Sequence, residues 1–450
     1  MSNLLYNKNT IIGRLFYYFS AYFTGISAPT AESLCLMLVS VLALESAQSV
    51  RFLYRHFICK ITKKSLTAFY YACSYAKVDY SAFMNVTSKT ALRIIPESLR
   101  CHPVFLCIDD TMVPKSGKKF EHVSRLFDHA AHNGSSYMNG HCFVSLMLCI
   151  PVWKNKKISY LSIPLGYRMW KKSESKLKLA ADMVRRVMPE FAEEKNVILM
   201  FDSWYAKKDL ICVSDEFSNL DIICGARTDS VLYDLPPEPA GKPGRPRKRG
   251  DRLSLAEDFQ LSEKKIDGYY IGVRRVLTNL FGKHQVTAYA TSTDRNSKSR
   301  RLFFSTIQPA CLNLSCAWFE DAPLNQTGSI WMDYIPLFLY KLRWKIEVGY
   351  YEQKSFWSLC SYMVRSSKGI EMLVNLINTA YASMKLLPYM DRNFYPYQNE
   401  STQEFRFTVS EQIREQIIFT SFAKSLENDI KPKSVINYIK QKFFGCDSAA

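Results

Sequence analysis

The chain has 450 residues, of which 48% are apolar and 22% are charged. A single hydrophobic core usually stops growing at roughly 250–300 residues, so more than one folding unit is expected. The composition excludes a wholly disordered, collagen-like or coiled-coil chain. The 59 Lys and Arg outnumber the 41 Asp and Glu by 18, and this surplus favours a polyanionic partner, with nucleic acid first.

The 13 cysteines include no C-x-x-C pair, so neither a disulfide framework nor a zinc cluster is predicted, and a reducing cytosol fits best. The most apolar stretch, residues 34–44, has about half the length that a bilayer requires and predicts a buried helix. The N-terminus lacks a charged region followed by an apolar run and a cleavage site. We therefore expect a cytoplasmic protein that does not contact a membrane.

The first hundred residues have helical periodicity, with apolar residues spaced by three and four through 31–47, 50–61 and 65–76. From residue 103 the pattern changes to short runs rich in Val, Ile, Leu and Phe, which predict strands. The runs are 104–108, 143–152, 158–165, 197–201 and 220–224. Helical patterns at 174–188 and 207–217 separate the last three of them, which indicates a mixed sheet with helices packed on it.

Residues 234–252 interrupt this pattern with five Pro and six Lys or Arg. They have too little apolar surface to order by themselves and predict a linker or an arm. Three more strands are predicted beyond them, at 269–277, 285–291 and 301–306. The pattern is helical from 331 to about 387.

Carboxylates follow two of the predicted strands. Asp109 and Asp110 come directly after the run 104–108, and Asp202 follows 197–201. Open sheets with crossover helices place ligands at such strand ends, so the carboxylates converge if the two strands are neighbours. Alternatively, each Asp is only a turn former or a helix N-cap, although two such sites in one sheet weaken that interpretation. Asp109 and Asp110 lie on opposite faces of a strand.

A second polar cluster lies on a predicted helix over residues 335–357. Four residues at offsets of 0, 3, 7 and 14 fall within roughly a 60° arc: Tyr340, Arg343, Glu347 and Lys354. Trp344, Val348 and Tyr351 flank this stripe, which argues against a plain solvent-facing surface. The alternative is that Arg343 and Glu347 form only a helix-surface ion pair.

Two Asp and one Glu suit hard divalent cations, and two such metals can activate an attacking oxygen and stabilise the leaving one in phosphoryl transfer. Arg343 could hold a substrate phosphate by a bidentate fork and Lys354 as a point charge. Tyr340 could donate a hydrogen bond to a neighbouring phosphate.

These motifs resemble the DDE transposases of cut-and-paste bacterial insertion sequences, the group with a Y-x2-R-x3-E-x6-K signature. Every signature position is matched between Tyr340 and Lys354, and Ile108-Asp109-Asp110-Thr111 is similar to the first-Asp motif of the family. Asp202 matches the second-Asp strand, and the resemblance covers about residues 101–381. The register that similar family members show selects Asp110, which directly precedes Thr111, with Asp109 as the alternate first acid.

The resemblance implies an α/β fold with a ribonuclease-H-like mixed sheet flanked by helices, interrupted by a β-rich insertion and preceded by a helical DNA-binding domain. The expected division is a helical domain at 1–100, the catalytic core at 101–228 and 311–390, the insertion with its basic arm at 229–310, and a C-terminal region of unknown role at 391–450.

The resemblance also implies a DNA transposase that binds terminal inverted repeats, cleaves them by metal-assisted hydrolysis and joins the 3′ ends to target DNA. The expected ligands of two Mg²⁺ or Mn²⁺ ions are Asp110, Asp202 and Glu347. The expected partners are transposon ends and target DNA, bound by a homodimer in the bacterial cytoplasm, at the nucleoid. Two alternatives are a domesticated, non-catalytic DNA-binding protein and a ribonuclease-H-like repair nuclease.

Arg245 and Arg247 lie in a Gly-Arg-Pro-Arg-Lys-Arg-Gly segment similar to an AT-hook, whose arginines enter the narrow minor groove of A·T-rich DNA. A solvated basic linker without sequence preference is the alternative. A metal site at His129 and His132 is not favoured, because no Cys or acidic residue completes the ligand set. Core packing is the favoured use of Trp318 and Trp331 over stacking on a flipped base.

Overall fold

The computed structural model describes residues 7–79, 81–117, 119–127, 137–238, 247–308, 329–429 and 433–444. Within these ranges the chain forms a mixed sheet with helices packed on both faces. The predicted mixed α/β class is therefore confirmed. It is consistent with a ribonuclease-H-like core.

Helices make up the start of the described chain: α1 (Ile11–Ser20), α2 (Ala28–Ala43), α3 (Val50–His56), α4 (Leu66–Ser74) and α5 (Ala82–Arg93). The side chains of Thr10 and Ser49 cap α1 and α3 by accepting from backbone N–H groups. Almost every residue of α2 from Ser33 onward is buried, so the apolar stretch at 34–44 forms the predicted buried helix. None of the helices in the described ranges is long and apolar enough to cross a membrane.

The eleven strands of the described chain are β1 (Val104–Pro114), β2 (Ser124–Phe127), β3 (Tyr137–Lys154), β4 (Lys157–Met169), β5 (Val197–Phe201), β6 (Leu220–Ala226), β7 (Leu232–Tyr233), β8 (Arg252–Leu253), β9 (Tyr270–Thr278), β10 (Val286–Ser292) and β11 (Arg301–Ser305). Their order is β2-β3-β1-β5-β6-β11-β10-β9-β7-β8, and β4 also pairs with β3. All eight predicted strands are present. The three that the sequence did not indicate are the short β2, β7 and β8.

Three strands at the centre of the sheet, β1, β5 and β6, run parallel to one another. The long hairpin of β3 and β4 lies antiparallel on one side of β1, and β11 pairs antiparallel with β6 on the other side. The strands predicted for the insertion, β9 to β11, thus belong to the same sheet as the predicted core.

The two faces of β1 pack against different sets of helices. Phe105 and Cys107 join a core cluster that also holds residues of α1 to α5 and of the C-terminal helices, whereas Leu106 and Ile108 join a cluster with the helix α6 (Lys176–Val187). All four side chains are fully buried. Because neither face is exposed, the β1 sequence is a continuous apolar run without polar alternation.

The remaining helices are α7 (Lys208–Ile211), α8 (Ser329–Tyr340), α9 (Lys345–Phe356), α10 (Ser367–Met390), α11 (Thr402–Asp429) and α12 (Lys433–Phe444). The single helix predicted at 335–357 was wrong in one respect, because a 3₁₀ segment, Lys341–Trp344, separates α8 from α9. A 3₁₀ turn winds by about 120° per residue instead of about 100°, so Tyr340 and Glu347 do not lie on one unbroken α-helical stripe.

The region after residue 391, where the sequence pattern predicted no particular structure, packs against the first helices. Arg406 of α11 donates to the backbone carbonyls of Val41 and Leu44 at the end of α2 and to that of Phe356 at the end of α9. Its guanidinium also lies 4.3 Å from the centre of the Trp357 ring. Helix α11 therefore fixes the end of α9, the helix that carries Glu347.

Candidate active site

Two of the predicted acids lie side by side where β1 and β5 separate. The parallel pairing of these strands ends at Cys107 and Met200. Asp109 and Asp202 each come two residues later, and side chains two residues apart on a strand point to the same face. Asp109 and Asp202 therefore share the face of the sheet that α9 covers.

Asp110 points to the opposite face of β1. Its carboxylate forms an ion pair of 2.7 Å with Lys176 of α6 and accepts a hydrogen bond from the Tyr205 hydroxyl at 3.1 Å. Of the two candidates for the first acid, the structure thus brings Asp109, the alternate, close to Asp202. It places Asp110, the first choice from the sequence, among other partners.

Arg343 connects the third acid to this pair. One terminal nitrogen of its guanidinium, Nη2, lies 2.7 Å from Oε1 of Glu347, and the other, Nη1, lies 3.4 Å from Oδ2 of Asp109. The predicted i,i+4 ion pair between Arg343 and Glu347 exists, and it extends to the sheet. Arg343 thus links Glu347 to Asp109, whose carboxyl also interacts with that of Asp202.

The pKa of Asp109 reflects its burial and its charged neighbours. Its side chain is 18% exposed, and burial, followed by the negative charge of Asp202, raises the pKa of its carboxyl to about 7. The Asp110 backbone N–H and the Arg343 guanidinium act in the opposite direction. The two Asp carboxylates therefore repel each other more than Arg343 compensates.

The loop after β5 fixes the orientation of Asp202. The backbone N–H groups of Trp204 and Tyr205 both donate to Oδ1 of Asp202, at 3.0 Å and 3.2 Å. The Asp202 side chain thus closes a local turn of its own loop. The turn interpretation of the sequence describes this contact correctly, and the same carboxylate also faces Asp109.

Tyr340 is anchored at the end of β5. Its hydroxyl donates to the backbone carbonyl of Phe201 at 3.1 Å, and its ring packs edge-on against Phe303. A side chain at Gly225 would place its Cβ 3.1 Å from this hydroxyl, so Gly225 leaves the room that the contact needs. The Tyr340 hydroxyl, predicted to donate a hydrogen bond to a phosphate, is therefore already bonded to the strand that leads into Asp202.

Lys354 lies further along α9. It follows Glu347 by seven residues, or about 10.5 Å along a helix axis. It is half-buried. Burial raises the pKa of the Cys360 thiol, and the positive charge of Lys354 partly opposes this effect. The structure thus places Lys354 on α9, two helical turns beyond Glu347.

A cavity of about 810 Å³ adjoins Asp202 and Arg343. Apolar side chains of several elements form most of its wall: Ile266, Ile271, Phe303, Leu337 and Phe338. Lys341 forms an ion pair with Asp267 at its rim. Trp344 also borders it and is 60% exposed, and Tyr351 of α9 is 65% exposed. The cavity beside Asp202 is therefore mostly apolar, with Lys341, Arg343 and Trp344 at its border.

The donor chemistry suits a divalent cation. Within the described ranges, no group of three or more His, Cys, Asp or Glu lies close enough to hold a metal ion. Asp109 and Asp202 nevertheless bring two carboxyl groups to one face of the sheet, and Mg²⁺ is commonly held by one or two carboxylates together with substrate phosphates. Glu347 is linked to Asp109 only through the Arg343 guanidinium.

Several other predicted residues lie away from the acids or outside the described ranges. Arg247 is exposed and lies 3.6 Å from Asp251, whereas Arg245 lies outside the described residues. Two further candidates and one side chain also lie outside them: His129 with His132, Trp318, and the side chain of Trp331.

The sequence analysis missed Lys176 and Tyr205, which contact Asp110. Tyr205 had a weak signal, since it follows Asp202 by three residues, but Lys176 opens a helix that carries no motif.

The comparison with curated proteins gave no match. The model of the family described as DDE superfamily endonuclease matches residues 22–269. That segment covers 248 of the 450 residues and includes Asp109, Asp110 and Asp202, while Glu347 lies beyond it. The match spans more than half of the chain and contains both strand-end acids, and it leads to one conclusion: this chain belongs to the DDE superfamily endonuclease family.

Proposed function

We propose that this protein is a DNA transposase of a bacterial cut-and-paste insertion sequence, of the group with the Y-x2-R-x3-E-x6-K signature. It binds the terminal inverted repeats of its element, cleaves them by metal-assisted phosphodiester hydrolysis and joins the 3′ ends to target DNA. The observation that carries this proposal is the placement of Asp109 and Asp202 on one face of the sheet, with Glu347 linked to Asp109 through Arg343.

Asp109, Asp202 and Glu347 are the proposed ligands of Mg²⁺ or Mn²⁺, with two ions bound in the reactive complex. Bound metal would activate the attacking oxygen and stabilise the leaving one. We choose Asp109 over Asp110 as the first acid because its side chain is directed to Asp202 and Arg343, whereas Asp110 is paired with Lys176.

DNA is the proposed substrate because the surroundings of the acids suit a polyanion with flat bases. Arg343 and Lys354 are the proposed phosphate contacts, and the exposed rings of Trp344 and Tyr351 offer apolar surface beside them. The net charge of +18 favours attraction of nucleic acid over the whole surface. Arg245 and Arg247 remain proposed minor-groove contacts of the basic arm.

The proposed role of Tyr340 differs from the hydrogen bond to a phosphate that the sequence suggested. Its hydroxyl bonds to the carbonyl of Phe201, directly before Asp202. We propose that it primarily holds the end of β5. A phosphate near the acids would have to compete with this backbone carbonyl for the same proton.

Two copies of the protein are proposed to act together in the DNA complex, because an element has two ends that must be cut in a coordinated way. The proposed location is the bacterial cytoplasm, at the nucleoid, where the DNA substrate lies.

The test uses the purified full chain and DNA fragments from the two sides of its gene, incubated with Mg²⁺ or with EDTA. We expect strand cleavage at inverted repeats in Mg²⁺ only, followed by joining to a target plasmid. Asp202→Asn should abolish both steps and retain DNA binding, because affinity comes mainly from Lys and Arg contacts to phosphates. Asp209→Asn, at an exposed position of α7, is the matched control and should cleave normally.

The outcomes separate the alternatives. Cleavage without joining, and without preference for the flanks, would support a repair nuclease instead. Binding without any metal-dependent cleavage would support a domesticated DNA-binding protein. Normal cleavage by Asp202→Asn would refute the assignment of the site.

A further inference from the structure

A second charged cluster lies on the opposite face of β1, directly behind the proposed site. Both oxygens of the Asp110 carboxylate are engaged there. Oδ2 lies 2.7 Å from Nζ of Lys176 and accepts from the Cys142 thiol at 2.9 Å, and Oδ1 accepts from the Tyr205 hydroxyl at 3.1 Å. The Asp110 and Lys176 side chains are 16% and 18% exposed, so this ion pair is largely shielded from water.

Lys176 is held from several sides. It is the first residue of α6, and its ammonium lies 5.4 Å from the centre of the Trp170 ring and 5.1 Å from that of Trp204. Both distances are within the range of cation–π attraction. The neighbours of Lys176 thus include Trp204, which belongs to the loop that follows Asp202.

Tyr205 connects the two acid-bearing strands. Its backbone N–H donates to Asp202, at the end of β5, and its hydroxyl donates to Asp110, next to Asp109 on β1. The Tyr205 side chain is fully buried, so the connection has no freedom to swing into solvent. Tyr205 therefore bonds to both acid-bearing strand ends.

The position of the Tyr205 connection along β1 and β5 matters for the two acids. Asp109 and Asp202 lie where the pairing of β1 with β5 has ended, so no ladder hydrogen bonds hold the two strand ends at the level of the acids. Repulsion between the two carboxylates favours separation of the ends of β1 and β5. A contact on the other face of the sheet can oppose this repulsion without occupying the space in front of the acids.

We propose that Asp110, Lys176 and Tyr205 are positioning residues that hold Asp109 and Asp202 at the spacing that the divalent metal requires. This inference rests on the proposed function. The Asp110 carboxylate acts through Tyr205, and Lys176 neutralises its charge in the shielded interior. Residues that orient metal ligands in this way typically change metal affinity or activity by about 10–100-fold when they are replaced.

The test is a double-mutant cycle with the metal-dependent cleavage assay. Three variants are compared with the wild type: Asp110→Asn, Lys176→Met and the combination of both. The readouts are the cleavage rate at saturating Mg²⁺, the Mg²⁺ concentration that gives half of that rate, and the thermal unfolding midpoint. Arg274→Met, which removes a more exposed ion pair elsewhere in the sheet, is the control and should leave cleavage unchanged.

Each single variant leaves one charge unpaired in the interior, and we expect it to slow cleavage and raise the Mg²⁺ requirement about tenfold. In the double variant both charges are gone, and the amide oxygen that replaces the Asp110 carboxylate can still accept from Tyr205. We expect the double variant to recover to within about threefold of the wild type, because the two sites are directly coupled. Tyr205→Phe should raise the Mg²⁺ requirement about tenfold even with Lys176 and Asp110 intact.

A double variant as inactive as Asp110→Asn would overturn the proposal, since it would make the Asp110 carboxylate itself a metal ligand. Unchanged cleavage in all variants would also overturn it. Failure of the proposed function looks different, because the wild type would then show no metal-dependent cleavage, or Asp202→Asn would retain it. Thermal unfolding separates a loss of cleavage from a loss of folding.

Discussion

Arg343 lies between two acids that come from different elements: its guanidinium is 2.7 Å from Glu347 on α9 and 3.4 Å from Asp109 on β1. A helix-surface ion pair would involve only the first of these contacts. The second connects the 3₁₀ segment Lys341–Trp344 to β1 across the space where the proposed substrate phosphate would bind.

Replacing Arg343 with Lys should reduce cleavage sharply and leave the fold intact. A Lys ammonium is a point charge and cannot make the planar two-bond contact to a phosphate or reach both carboxylates. The measurement is end cleavage together with thermal unfolding. Arg414→Lys, at an exposed position near Glu45, is the control.

The ion-pair alternative makes the opposite prediction for the same variant. The ammonium introduced by Arg343→Lys would keep an i,i+4 partner in Glu347, an interaction of about 0.2–0.5 kcal/mol. Cleavage would then hardly change. Near-normal cleavage by both Arg343→Lys and Lys354→Ala would refute the phosphate-binding role of this helix.

Asp109 should make the metal-free protein less stable as the pH rises. Its folded pKa of about 7 lies above the value of about 3.9 of an unfolded Asp. Between these values the folded state binds more protons than the unfolded state, so the free energy of unfolding falls as the pH increases. The accumulated loss approaches about 4 kcal/mol above pH 7.

The check is thermal unfolding in EDTA at several pH values. Asp109→Asn removes the titrating group, so its unfolding midpoint relative to the wild type should rise between pH 4.5 and pH 8. Asp209→Asn serves as the exposed control. A constant difference between Asp109→Asn and the wild type across this range would contradict the crowding of Asp109 by burial and by Asp202.

Tyr340→Phe should destabilise the protein by about 1 kcal/mol, since it removes one hydrogen bond to the carbonyl of Phe201. Gly225→Ala should have a similar effect, because the new Cβ would lie 3.1 Å from the Tyr340 hydroxyl. Chemical denaturation measures both. If Tyr340→Phe loses cleavage with unchanged stability, the hydroxyl acts on the substrate and the anchoring role is wrong.

Replacing Arg245 and Arg247 together with Ala should weaken binding to A·T-rich flanks more than to G·C-rich ones, as expected of an arm that enters the minor groove. Binding of both DNAs is measured at one fixed salt concentration. Lys264→Ala with Lys283→Ala removes the same charge from exposed positions of the same region. An equal loss on both DNAs would make the segment a non-specific basic linker.

The sequence predicted most of the sheet and little of its register. Runs such as 197–201 are apolar and bounded by polar residues, so their type and position could be inferred. The choice between Asp109 and Asp110 could not be made from the residues, because β1 is buried on both faces and has no polar alternation that would reveal which face each side chain takes. The pairing of β1 with β5 shows which of the two lies beside Asp202.

Contacts between distant residues also escaped the sequence. The 3₁₀ segment that carries Arg343 contains no Gly or Pro from which it could be predicted. The partners of Asp110 include Lys176, which lies 66 residues away in the sequence. Helix α11 packs on several helices, among them α1, α2 and α10. Such features depend on tertiary packing, which local periodicity does not encode.

The most direct test of the central claim is a titration of the wild type and two single variants with Mn²⁺, followed by electron paramagnetic resonance of the free ion. We expect Asp109→Asn to weaken Mn²⁺ binding at least as much as Asp202→Asn, by more than about tenfold. Unchanged Mn²⁺ binding by Asp109→Asn, with the wild type binding normally, would contradict the assignment of Asp109 and Asp202 as the metal-binding pair.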